Sequence, residues 1–283
     1  IEDNAFRYSS LETINLSENL ISVGVSAFSS SLNLQYVTFK KTTKFIVSKA
    51  FENCPSLIKI VMPDYVEYLS EGTFENCTSL QYIKLPNSVN KISDNVFNNC
   101  VSLNNLDIPS SLIDISATAF SRCEALNNIT VSSDNTTYAF QGGALYVKGA
   151  NESGFVVNKT LAQVLYSTED SFTLPVTVSE IRDNAFENCK SLQNIYVESG
   201  NSYFSSVDNA LFKKNSSGEE KELVYVPHGC VNLTIPEKVE SISSYAFTHA
   251  KLLENFNVSA NNQFFSSFGD QTKCLYSKDK SRL

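Results

Sequence analysis

The chain has 283 residues, 42% of them hydrophobic and 18% charged, with a formal net charge of -8. That is apolar material enough for a folded core, yet no apolar run approaches the roughly 18 residues a membrane span needs. The acidic balance argues against nucleic acid, whose phosphates demand clustered Lys and Arg.

From the first residues onward one unit recurs. Phe6, Phe28, Phe51, Phe74, Phe97, Phe120, Phe186 and Phe247 each close an Ala-Phe-like pair, and from Phe28 to Phe120 the spacing is 23 residues. Six residues after most of them a Leu opens a Leu-x-x-Ile-x-Leu segment; Leu11 arrives one place early. Short units at a fixed period cannot bury a hydrophobic face alone and must stack, so the expected fold is a β-rich leucine-rich-repeat type of solenoid, with a parallel sheet on one face. In such an array length counts rungs, and one domain over 1–283 is expected, with regular repeats over 1–131.

The repeat Leu80–Cys100 serves as the template. Ile83 and Leu85 alternate with Tyr82 and Lys84, the period of a half-buried strand, and Pro86 stops it. Val89 and Ile92 form a second apolar pair, matched by Val66 and Leu69, Leu112 and Ile115, Val178 and Ile181, and Val239 and Ile242. They predict an opposite wall. Phe97 in Ser-Asp-Asn-Val-Phe predicts a short helical or 3₁₀ turn that drops one ring per rung into a stacked aromatic spine.

The pattern Leu-x-x-Ile-x-Leu-Pro-x-x-Val-x-x-Ile-x-x-x-Ala-Phe-x-x-Cys resembles the BspA-like leucine-rich repeat family. The resemblance covers essentially the whole chain. It implies a surface protein of the kind found on anaerobic bacteria and parasitic protists, and with it a host or extracellular-matrix protein as partner. Pro63, Pro86, Pro109, Pro175 and Pro236 stand where ordinary leucine-rich repeats place Asn or Cys, so the usual asparagine ladder is not expected.

Cys54, Cys77, Cys100, Cys123 and Cys189 each follow their Phe by three residues, which predicts a column of buried thiols in preference to a metal or redox site. No Cys-x-x-Cys occurs, and two histidines do not complete a zinc site of standard spacing. Cys230 and Cys274 fall outside the column. The 23-residue beat breaks twice, after Phe120 and after Phe186. Insertions are expected at about 132–171 and 198–231, as β-hairpins projecting after the main strand, with Ala144–Val147 facing Val164–Tyr166 and Ala210–Lys213 facing Leu223–Pro227. A partial third insertion occupies 259–283, where Phe265-Ser266-Ser267 echoes Phe204-Ser205-Ser206. Both ends read as cut from a longer protein, so signal and anchor would lie beyond them.

No Gly-x-Ser-x-Gly, phosphate loop or His-Glu-x-x-His is present, and His228 and His249 have no partner at a recognisable spacing. The expectation is a non-enzymatic chain without cofactor or metal. What remains is the outward face of the main sheet, expected to run over eight rungs from Thr13 and Asn15 to Asn255 and Asn257. The candidate protein-binding residues on it are Tyr36, Thr38, Lys59, Val61, Tyr82, Lys84, Asn105 and Asp107, since tyrosines beside local positive charge are what interfaces favour. Three readings follow: a cell-surface or secreted adhesion module, a self-associating spacer array, and a carbohydrate-binding protein, disfavoured by the lack of Trp and of a facing carboxylate pair. Nine Asn-x-Ser/Thr sequons occur, among them Asn15, Asn76, Asn128, Asn135 and Asn257.

Overall fold

The computed structural model describes residues 1–151, 153–165, 170–268 and 271–278. Tyr166, expected beside Val164 and Leu165, and the end of the third insertion at 279–283 lie outside them. The chain forms two compact units, Ile1–Lys148 and Gly149–Leu283.

In the first unit, Thr13–Asn15, Tyr36–Thr38, Lys59–Val61, Tyr82–Lys84, Asn105–Ile108 and Asn128–Val131 form one parallel six-stranded sheet. Register is set by the alternation: Val37, Ile60, Ile83, Leu106 and Ile129 all point inward and are buried, so a slip of one residue would expose every one of them. The opposite wall consists of two-residue strands, Ser22–Val23 beside Phe45–Ile46, and Tyr68–Leu69 beside Lys91–Ile92 beside Asp114–Ile115. Val66, Leu69, Val89, Ile92 and Leu112 line it without exposure. The rings of Phe6, Phe28, Phe51, Phe74, Phe97 and Phe120 stack in sequence, centroids 5.1 to 5.8 Å apart and planes within 10°.

The segment carrying each Phe is not a helical turn, and no helix of any kind forms among the described residues. It is a run of successive turns in which alternate N–H groups have different partners. Around Phe74, Thr73, Glu75 and Cys77 donate back to Ser70, Gly72 and Phe74, whereas Gly72, Phe74 and Asn76 donate to Asp94, Val96 and Asn98 of the next rung. The residues two before and two after the Phe have positive φ, as at Lys49 and Asn53, Gly72 and Asn76, and Asn95 and Asn99. A positive φ reverses the peptide and aims alternate N–H groups along the stack, which a continuous 3₁₀ turn would not allow. An asparagine ladder exists here after all, away from the strand prolines: Asn76 donates to Asn53 at 2.7 Å and Asn99 to Asn76 at 2.9 Å.

In the second unit, Ser171–Leu174 pairs with Asn194–Val197 and Asn232–Ile235 with Asn255–Val258, both parallel. The inserted segments do not simply project. Phe204–Val207, Ala210–Lys214 and Glu220–Tyr225 form an antiparallel meander whose last strand runs parallel to Ser241–Ile242 and so serves as an opposite-wall strand. Val156–Val164 does the same beside Glu180–Ile181. Val164 and Val226 then donate to Ala185 and Ala246, the bonds that a spine Phe makes elsewhere. The ring comes from the neighbour: Tyr225 stacks on Phe186 at 4.5 Å, with His249 edge-on to it at 6.4 Å. Phe247, expected in the spine, is 37% exposed and lies edge-on to Phe256 at 5.9 Å.

Each insertion opens on the same device. In regular rungs an apolar residue stands three places after the strand-ending position, as Val89 does after Pro86. Asn135, Asn201 and Asn262 take that place after Ser132, Glu198 and Ser259, and all three are buried. Each side-chain amide donates to two carbonyls of the preceding rung: Pro109 and Leu112, Pro175 and Val178, and Pro236 and Val239. Each amide oxygen accepts the N–H groups two and three residues on. A lysine closes the segment, with Lys148, Lys214 and Lys278 donating Nζ to the backbone carbonyls of Asn135, Asn201 and Asn262.

Candidate functional site

Pairing in register places Tyr36, Lys59, Tyr82 and Asn105 in one row and Thr38, Val61, Lys84 and Asp107 in the next. All but the half-buried Thr38 are exposed. The Tyr82 hydroxyl donates diagonally to Asp107 Oδ2 at 3.0 Å, and partial burial, then that carboxylate, push the phenol pKa up. Asp107 is thereby occupied. Among the described residues neither Lys59 nor Lys84 is ion-paired; Lys59 stands between Tyr36 and Tyr82, and Lys84 lies between Val61 and Asp107 in the other row, on a protein of net charge -8. Asn128 donates to Asn105 at 3.1 Å and extends the polar end of the first row.

This face is shorter than eight rungs. Its six strands give about 24 Å between the outermost, at about 4.8 Å per step. Asn194 and Tyr196, and Asn255 and Asn257, belong to separate two-stranded sheets. The second insertion separates these two sheets from each other. Its hairpin turn at Asp208 and Asn209, both at positive φ as a type I′ turn requires, puts Asp208 Oδ2 2.8 Å from the N–H of Thr234, where a neighbouring strand would otherwise pair.

A second exposed row went unread in the sequence. Phe45 and Tyr68 point outward from the opposite wall, followed by Lys91 and Asp114, which form an ion pair at 2.8 Å. The same alternation that picked out the main face would have found it.

The thiol column is sealed. Cys54, Cys77, Cys100 and Cys123 donate Sγ–H to the carbonyls of Phe28, Phe51, Phe74 and Phe97 at 3.0 to 3.2 Å. Burial pushes the Cys54 thiol up to about 12 and raises those of Cys77, Cys100 and Cys189 as well, which suppresses the reactive thiolate. Among the described residues no three His, Cys, Asp or Glu side chains are grouped to hold a metal, and no helix is long and apolar enough to cross a membrane.

A family profile described as BspA type leucine rich repeat region matches in six copies, over residues 1–127 and 165–269. The chain belongs to that family. The fold is shared by solved bacterial proteins. A leucine-rich cell surface protein from Faecalibacterium prausnitzii is 20% identical with a TM-score of 0.60, over 89% of this chain and 70% of that one. A leucine-rich repeat protein from Eubacterium ventriosum is 23% identical with a TM-score of 0.65, over 89% of this chain and 61% of that one. One from Bacteroides ovatus is 21% identical with a TM-score of 0.56, over 87% and 63%. The chain thus spans less than two thirds of the latter two. No curated protein matches.

Proposed function

We propose that the chain is a non-enzymatic cell-surface or secreted module that binds a protein of a host cell or extracellular matrix. Its contact residues are Tyr36, Thr38, Lys59, Val61, Tyr82, Lys84, Asn105 and Asp107. The observation that carries this reading is the registered row in which Lys59 stands between the exposed Tyr36 and Tyr82, with Lys84 in the row beside it. Rigid aromatic area beside uncommitted positive charge favours an acidic partner surface. The cell-surface placement is supported by the likeness to the Faecalibacterium cell surface protein and by membership of the family.

The test is Tyr82→Ala combined with Lys84→Glu. Neither side chain belongs to the core, so the thermal melt should stay within about 1 °C of the parent. Attachment of protein-coated beads to host cells should fall at least about tenfold, equivalent to roughly 1.4 kcal/mol. Unchanged attachment would reject this face.

A further inference from the structure

Two of the insertions carry hairpins with the same turn. The N–H of Asn151 donates to the Phe155 carbonyl at 2.9 Å, and that of Asn215 to the Glu219 carbonyl at 2.8 Å. The two asparagine side chains accept the N–H groups of Phe155 and Glu219 at 2.9 and 3.0 Å, and Gly154 and Gly218 both have φ of +81°. The closing hydrogen bonds are the same; the chemistry is opposite. One tip reads Gly-Phe-Val and the other Gly-Glu-Glu. Phe155 is 71% and Val156 72% exposed, more than any other large apolar side chain among the described residues. Since Glu219 and Glu220 serve the same turn, folding does not require an apolar tip.

Consecutive residues on an extended segment point to opposite sides, so Phe155 and Val156 make a two-sided wedge. A flat surface touches one side of a wedge; a groove touches both. The second unit holds such a groove, about 490 Å³, beside Tyr196, Val197 and Phe204, with the carboxylates of Glu198 and Asp208 and the amine of Lys214 in its lining. Lys159 follows Val156 on the same strand, about 10 Å behind the tip, and brings a positive charge toward a lining in which carboxylates outnumber the amine. At 71% exposure Phe155 is not seated in its own molecule. An anionic lipid surface is a poor alternative occupant, because the tip has no basic cluster and the chain is acidic.

We propose that the Phe155–Val156 tip of one copy enters the Tyr196 groove of a second copy. The two patches differ, so the contact is head-to-tail and each added copy leaves a tip and a groove open. It does not depend on the Tyr82 face. A contact of two apolar side chains and one charge pair belongs to the weak class, so sedimentation velocity should span about 5 to about 500 μM. The expected result is a mass that grows with concentration in the parent protein and in Tyr82→Ala/Lys84→Glu. Phe155→Glu/Val156→Glu, which copies the twin tip, and Tyr196→Glu should each remain monomeric with unchanged melts. Mixed in equal amounts they should form a heterodimer and nothing larger, because one supplies an intact groove and the other an intact tip. The proposal is overturned by a parent that stays monomeric throughout, by association that survives either variant, or by binding of the parent to phosphatidylcholine vesicles that the tip variant abolishes while self-association does not occur.

Discussion

Phe74 shows what a single residue contributes. It is fully buried, with rings stacked on both sides at 5.7 and 5.8 Å, so Phe74→Ala leaves a cavity that the rigid neighbours cannot fill. A loss of about 3 to 5 kcal/mol is expected in urea unfolding. Cys77→Ala, which removes one sulfur and a weak S–H donor, should cost about 1 kcal/mol, and reducing agent should leave the parent melt unchanged. His249 gives a pH signature. Its Nε2–H donates to the Glu187 carbonyl at 2.7 Å, and burial, the largest cause, lowers its pKa from the usual 6.5. The unfolded chain therefore takes up the proton before the folded one does. Stability from this group is complete above pH 6.5 and is lost as pH falls from there toward the lowered folded value. Compared with His249→Gln, the parent should lose more stability between neutral pH and about pH 5 in matched denaturant melts. An equal loss in both would remove His249 as the cause.

At the scale of elements, the strands and the spine were legible because their signal repeats at the period of the rung: Ile60, Ile83 and Leu106 recur with Phe51, Phe74 and Phe97. The turn segment was not. Its shape comes from backbone bonds between rungs, which hold even Lys49, Ser30 and Arg122 at positive φ against their own preference. The buried asparagine of the insertions was hidden differently. Asn135 reads as a sequon, yet it is 1% exposed and its amide nitrogen serves two carbonyls, so it should carry no glycan when the protein is made in a glycosylating host. The informative signal was positional: Asn where Val66, Val89 and Leu112 stand in regular rungs. Asn201→Ala would strand two buried carbonyls and two N–H groups and should cost about 3 kcal/mol by denaturant melt. Lys214→Met, which loses a single charge-assisted bond on a half-buried side chain, should cost about 1 kcal/mol. Of the candidate face, outward direction and row order could be read from alternation; the break between Asn194–Val197 and Asn232–Ile235 could not, because Asp208 reaches Thr234 across 26 residues.

Across the whole molecule, each rung bonds to its neighbours and to little else, so damage should stay local. Hydrogen exchange on Phe74→Ala should show the largest loss of protection between residues 49 and 100 and the smallest in the strands Asn232–Ile235 and Asn255–Val258. A uniform loss would mean that the array unfolds as one cooperative body. The acceptor pair used by the buried asparagine has a further consequence. Regular rungs already present one of these two carbonyls to a side-chain donor, with the hydroxyls of Ser88 and Ser111 donating to Val66 and Val89 where Asn135 donates to Leu112. A duplicated or recombined gene segment could therefore be accepted at any rung without prior change in the receiving sequence. Such a scaffold lets the number and chemistry of its outgrowths drift between lineages while its period is kept, and diversification can proceed at the tips under little constraint from the stack.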